Sequence, residues 1–335
     1  MNDRATVADF SERELIARIT GFLPPPPAWM PVGIGDDAAV VEPERNRLEV
    51  LSVDALVEGV HFDRAFTPPA SIGHRALAAN LSDLAAMGAA PRLCLLSLAL
   101  PSSLPIADFD AMIGGVAALA ARHRIHVAGG NLTRSPGPLV VDITVTGTAK
   151  RRQILTRHGA RPGDELYVTG SIGAAAAGLG MLKEQSSAAP PDNPCTRRYL
   201  YPEPRIRMGL LVARNRAAAA GMDLSDGLAD GVHRLAQASG VGAIVDAEAL
   251  PIDPDAREWF AGRSNDPTTA AITGGDDYEL LIAVRPRLSR RLTDPRRHGG
   301  VALTRVGVCA ENPAVLLKCG DGRHQPLPQG YQHFR

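Results

Sequence analysis

Lysine is almost missing from this sequence. Only Lys150, Lys183 and Lys318 occur in 335 residues, so arginine carries nearly all the positive charge. No G-x-x-x-x-G-K-[ST] stretch exists, and no strand lysine is followed by an H-R-D motif. The common lysine-based nucleotide sites are therefore excluded, and any phosphate binding must rely on metal ions, arginine and backbone amides. An excess of either charge is missing too, since 36 Lys and Arg balance 36 Asp and Glu. That balance argues against a nucleic-acid surface and for a small partner. The four cysteines, at 94, 195, 309 and 319, form no C-x-x-C pair, and Cys94 and Cys309 sit in apolar runs that read as buried strands. Such thiols suit a reducing, cytoplasmic compartment. Long hydrophobic runs are lacking: the longest, Leu93 to Leu100, is too short to cross a membrane, and Met1 to Phe10 is polar and charged, unlike a signal peptide.

What is present is length and a recurring acidic signature. A chain of 335 residues predicts two domains at ~150 residues each, placed at 1–149 and 150–335. Alternating strand and helix patterns give an α/β class. The first half reads as a helix from Ser11 to Ile19, an extended Pro24 to Pro27, and short strands at Ala38 to Val41 and Leu48 to Val53. A helix at Gly73 to Met87 packs through Leu77, Leu81 and Leu84; a strand at 93–100, a helix at 107–123 and strands at 125–128 and 138–148 follow. The second half reads as strand 164–169, helix 170–182, a surface loop at 185–195, helix 205–220, a helix ending at Ser239, strand 243–245, a polar loop at 262–269, and strands at 280–284, 306–309 and 315–317.

The densest chemistry lies in Asp223-Leu224-Ser225-Asp226-Gly227. Ser225 and Asp226 are good caps for the helix announced by Leu228, Val232 and Leu235, with Gly240 as its stop. Capping leaves Asp223 unexplained, because it sits where a strand ends and an unpaired carboxylate is costly to bury. Comparable short acidic stretches recur: Gly33-Ile34-Gly35-Asp36-Asp37, Asp54 at a strand end followed by Glu58 to Phe62, Asn80 with Asp83, Gly129-Gly130-Asn131, and Gly274-Gly275-Asp276-Asp277-Tyr278-Glu279. Each alone has an ordinary explanation as a turn, a cap or an ion pair. Together they supply many hard oxygen donors without a His or Cys cluster, which suits Mg²⁺ rather than zinc. Mg²⁺ uses one or two carboxylates per ion plus substrate phosphates, so several ions around a polyphosphate fit the inventory.

These motifs, taken in order and closed by Gly330-Tyr331-Gln332-His333-Phe334, resemble the thiamine-monophosphate kinases, within the aminoimidazole ribonucleotide synthetase-like superfamily. The resemblance implies an α/β fold with mixed sheets in two domains. An N-terminal ATP- and Mg-binding domain pairs its sheet into a barrel across a homodimer, and a C-terminal α/β domain closes the cleft. It implies direct in-line transfer of a phosphoryl group from ATP to thiamine monophosphate, with no catalytic residue beyond the metal-binding carboxylates. Carried over by position, Asp37, Ser52, Val53, Asp54, Asp83, Asn131, Asp223 and Asp226 hold Mg²⁺ ions. Gly130, Asn131, Arg157 and Ser225 contact ATP, while His61, Asp276 and Tyr331 meet thiamine monophosphate.

Four positions depart from the usual pattern: Asn131 for aspartate, Val53 for threonine, Asp276 for glutamate and Tyr331 for tryptophan. Val53 could ligate only through its backbone. Within the superfamily, selenophosphate synthetase-like chemistry wants a reactive cysteine near the N-terminus, and the first here is Cys94. A hydrogenase-maturation relative wants a C-terminal cysteine, and this chain ends His333-Phe334-Arg335. Another ATP-using relative, or a Mg-nucleotide-binding dimer without turnover, is the alternative.

Overall fold

The computed structural model describes residues 5–184 and 193–331. Of the sequence expectations, most of the loop at 185–195 and the closing Gln332, His333 and Phe334 lie outside the described residues. The chain divides into two compact units, Met1–Leu84 with Pro91–Thr148, and Ala85–Ala90 with Ala149–Arg335.

The first unit opens with α1 (Glu12–Gly21), started by a capping box in which Ser11 N–H donates to the Glu14 carboxylate at 2.8 Å and Ser11 Oγ accepts from Glu14 N–H. Strand β1 (Leu48–Val57), α2 (Pro69–Ala86), β2 (Ala90–Pro101), α3 (Ile106–His123), β3 (His126–Ser135) and β4 (Val140–Ala149) follow. The strands form one sheet in the order β1-β4-β2-β3, with β2 and β3 parallel from Leu93↔His126 to Pro101↔Ser135. A paired contact from Arg18 to Asp110, at 3.1 and 2.8 Å, ties α1 to α3.

Three local expectations change here. Ala38 to Val41 is not a strand: single bridges, Val32↔Val40 and Ile34↔Asp36, hold this segment as a loop. Strand β1 does not end at Asp54 but continues to Val57, because Leu56 is buried and sustains the alternation. Gly129 to Arg134 is likewise strand and not loop, since β2 pairs with it residue for residue. Helix α2 is also buried over more than the one stripe of leucines, with Ser71, His74, Arg75, Asn80 and Ser82 all inside.

The second unit holds a seven-stranded sheet built from β5 (Glu165–Thr169), β6 (Ala220–Asp223), β7 (Gly242–Asp246), β8 (Leu280–Val284), β9 (Leu303–Ala310), β10 (Val315–Lys318) and β11 (His324–Pro326). Its order is β11-β10-β7-β9-β5-β8-β6; β10 and β7 are parallel, and the other recorded pairs are antiparallel. Helices α4 (Ala174–Glu184), α5 (Pro194–Leu200), α6 (Ile206–Asn215), α7 (Leu228–Ser239), α8 (Pro254–Ala261), α9 (Pro267–Thr273) and α10 (Thr293–His298) accompany it. The apolar core runs through Leu166, Val168, Leu224, Val232 and Leu281.

The helix expected at 205–220 stops at Asn215, where Arg216 takes a left-handed φ of 48° and frees the chain to enter β6. Around the stretch expected as a polar loop stand α8 and α9, each opened by an aspartate cap, Asp253 or Asp266, followed by proline. Cys94, Cys195 and Cys309 are buried free thiols and Cys319 is part-exposed. No helix among the described residues is long and apolar enough to cross a membrane.

Candidate functional site

In the first unit the expected residues gather at two places. The first is the contact of β1 with α2. Even-numbered residues of β1 share one face, so Ser52 and Asp54 point the same way while Val53, 58% exposed, points opposite. Ser52 Oγ donates to Asp83 Oδ2, and the Asn80 side chain accepts from Asp54 N–H at 3.1 Å while donating to Asp54 C=O at 3.4 Å. Ser52, Asp54 and Asp83 are thus held together by strand alternation and by the i, i+3 spacing of α2. At the end of β1, His61 Nδ1 accepts from Val57 N–H at 3.1 Å, which leaves the ring proton on Nε2.

The second place is a cavity of about 1180 Å³ lined by Gly33, Gly35, Asp37, Ser97, Gly130 and Asn131, among others. Ser97 and Asn131 are register partners across β2 and β3. Gly130 is needed by the pairing itself: a Cβ there would lie 1.8 Å from the Leu96 carbonyl oxygen.

The second unit assembles its residues by main-chain bonds. Asp223 ends β6 and is buried, as its position in the sequence implies. Beyond it, Leu224 N–H donates to Glu279 C=O at 2.8 Å, Tyr278 N–H to Leu224 C=O at 3.0 Å, and Asp276 N–H to Ser225 C=O at 2.8 Å. Tyr331 N–H reaches Asp226 C=O at 3.4 Å, and the Tyr331 side chain is half exposed. Asp223, Ser225, Asp226, Asp276 and Tyr331, drawn from three distant parts of the chain, therefore meet. Neither Ser225 nor Asp226 caps α7, contrary to the sequence reading. The cap is Gly227 at φ 91°, a conformation that L side chains avoid, and its flanking loop is folded onto the 274–278 loop instead. Asp226 faces Arg234 at 3.3 Å. Arg157 stands apart: its carbonyl accepts from Ser239 Oγ, at the opposite end of α7 from Gly227.

Two acids of the 274–280 stretch have roles the sequence did not reveal. Asp277 is fully buried and accepts from Gly173 N–H at 2.7 Å and Ala175 N–H at 3.2 Å, capping α4. Burial pushes its carboxyl up to about 7, against the pull of those two donors and of Arg198. Glu279, also fully buried, is paired with Arg198 and Arg205.

Among the described residues no group of three or more His, Cys, Asp or Glu side chains gathers closely enough to hold an ion alone. Instead carboxylates keep company with neutral oxygens, as Asp83 does with the Ser52 hydroxyl and as Asp54 does with the Asn80 amide bonded to its main chain. That donor chemistry fits Mg²⁺, which takes a few protein oxygens and completes its shell with water and phosphate.

The chain matches the AIR synthase related protein N-terminal domain over residues 35–149 and the corresponding C-terminal domain over 161–318. It is 36% identical to the thiamine-monophosphate kinase of Synechococcus elongatus, covering 100% of this chain and 99% of that one. The crystal structure of thiamine-monophosphate kinase from Stenotrophomonas maltophilia superposes with a TM-score of 0.80 at 35% identity, covering 96% of this chain and 99% of that one. A structure of AaThiL complexed with AMPPCP and TMP gives a TM-score of 0.76 at 32% identity, over 90% of this chain and 92% of that one. With both domains matched and the 36% identity running the full length of the chain, the chain belongs to the thiamine-monophosphate kinase family.

Proposed function

We propose that this chain transfers the terminal phosphoryl group of ATP directly to the phosphate of thiamine monophosphate, releasing ADP and thiamine diphosphate. The meeting of Asp223, Ser225, Asp226, Asp276 and Tyr331 in the second unit carries this reading, within the full-length family match. Asp37, Ser52, Asp54, Asp83, Asn131, Asp223 and Asp226 would hold Mg²⁺, with Val53 offering only its carbonyl oxygen. Bound Mg²⁺ supplies positive charge that screens two anionic reactants from each other and stabilises the leaving diphosphate.

The side chains do the remaining work. Gly130, Asn131 and Ser225 contact the nucleotide, and Arg157, at the other end of α7, would contact a different part of it. His61 presents Nε2–H as a donor to the acceptor's phosphate, Asp276 meets its cationic portion, and the half-exposed Tyr331 ring offers a face to the heterocycle. No general base is needed, because a phosphate monoester with a second pKa of about 6 already carries an ionised oxygen.

The active form in this reading is a cytoplasmic homodimer whose first-unit sheets join as a barrel. Support comes from the large apolar side chains of Leu51 and Val53 on one face of β1 and Leu95 on β2, all exposed, and from free thiols suited to a reducing compartment.

Purified protein with Mg²⁺ and ATP tests the proposal when offered thiamine monophosphate, thiamine and formylglycinamidine ribonucleotide in turn. Thiamine diphosphate from the first substrate alone is the expected result. Its absence overturns the assignment.

A further inference from the structure

We infer that Glu279 is the positioning residue of the second unit's site, fixing the 223–227 loop against the 274–278 loop and so setting where the acids of both loops point. The inference rests on the reading that those acids serve metal, nucleotide and acceptor. Glu279 touches none of them.

Its side chain is 0% exposed, and both carboxylate oxygens are fully engaged. Oε1 accepts from Arg205 Nη2 and from Arg198 Nη2 at 2.6 Å; Oε2 accepts from Arg205 Nε at 2.7 Å and Thr169 Oγ1 at 2.6 Å. Arg198 donates as well to the Asp277 carbonyl at 3.2 Å, and Thr169 Oγ1 accepts from Leu280 N–H at 2.8 Å. Two guanidinium groups from α5 and the start of α6, and a hydroxyl from the end of β5, therefore fix one carboxylate. Gly170 completes the fit, since a Cβ there would lie 2.1 Å from Glu279 Oε1.

The main chain of the same residue is the base of the zipped loops. Glu279 C=O accepts from Leu224 N–H, and the two further bonds, Tyr278 to Leu224 and Asp276 to Ser225, lead outward from it to the site. Asp276 at φ 67° and Tyr278 at φ 50° both occupy the left-handed region, which non-glycine residues leave unless their surroundings hold them. The strained segment is thus fastened at one end by a buried carboxylate that accepts four hydrogen bonds, and its other end carries Asp276, bonded through its N–H to Ser225 C=O. A purely structural ion pair would not need to sit at the root of the functional loop. This one does, and the loop it roots bonds through Ser225 and Leu224 to the segment that carries Asp223 and Asp226.

Glu279→Gln tests this, because it keeps the shape and removes the charge that holds both arginines. Circular dichroism and thermal unfolding establish that the variant folds. Titrating it with Mg²⁺ and a non-hydrolysable ATP analogue in a calorimeter is expected to show Mg-dependent binding weakened on the order of 10-fold, the scale set by lost support behind metal-binding groups. Thr169→Val provides a second, milder variant, expected to weaken binding in the same direction, with Thr169→Ser restoring it. A folded Glu279→Gln, or a Thr169→Val, that binds Mg-nucleotide like the parent overturns the inference. Should Glu279→Gln fail to fold, the threonine pair decides alone. A parent protein that binds Mg-nucleotide yet makes no thiamine diphosphate defeats the reaction proposed above and leaves this test intact.

Discussion

Asn80 grips Asp54 by both main-chain groups, accepting from its N–H at 3.1 Å and donating to its C=O at 3.4 Å, and the same amide donates to Ala76 C=O at 3.0 Å. A fully buried amide on α2 therefore sets the height of β1 at the point where Ser52 and Asp54 face Asp83. Asn80→Ala should cost about 1–3 kcal/mol of stability from unsatisfied partners and lower activity beyond what unfolding explains. Urea denaturation measured alongside kcat at a temperature where the variant is fully folded separates the two effects.

Removing the Asp54 carboxylate should abolish turnover, whereas Asn131→Asp should preserve it with a shifted Mg²⁺ requirement. Asp54 faces the β1–α2 contact and Asn131 lines the separate cavity along β3, so the two variants probe different places. Mg²⁺ activation curves for both variants provide the check, and equal activity would show the ligand set to be misassigned.

His61 accepts from Val57 N–H through Nδ1 and keeps its proton on Nε2. Asparagine can place an oxygen near Nδ1 but nothing near Nε2. His61→Asn should thus fold normally and raise KM for thiamine monophosphate several-fold, at about 1 kcal/mol for one lost hydrogen bond, with KM for ATP little changed. Parallel KM measurements for the two substrates distinguish this from a general loss of structure.

Asp277 gives a pH signature of stability. Its carboxyl, ordinarily at 3.8, lies at about 7 in the folded chain because of burial. Between those values the folded chain holds a proton that the unfolded chain has released. Stability contributed by this group therefore falls as pH rises from about 4 to about 7 and is level outside that window, with a limiting slope of ~1.4 kcal/mol per pH unit. Asp277→Asn should flatten that portion of the profile. Unfolding free energies of parent and variant at pH 5, 6, 7 and 8 are the measurement, and parallel curves would contradict it.

Much of this was legible in the sequence where the signal is local. The helix read from Ser11 to Ile19 stands as α1, the apolar lead-in announces Asp223 at a strand end, and Gly240 stops α7 as read. Helices α8 and α9 carried clear Asp-Pro openings but are only 8 and 7 residues long, too short to show a helical period. The division of labour in 276–279 was not legible, because the left-handed turns at Asp276 and Tyr278 break the alternation that tells an inward residue from an outward one. Likewise no local rule reveals that Ser225 surrenders its capping role when the 274–278 loop occupies its carbonyl.

The burial of three thiols has a practical consequence. Cys94, Cys195 and Cys309 have their thiols pushed up to about 12 by burial, so almost none is thiolate at neutral pH, the form that maleimides attack. Cys319, in the turn between β10 and β11, is the part-exposed one. The native chain thus provides a single attachment point for a fluorophore or spin label, and site-specific labelling can proceed without removing any cysteine.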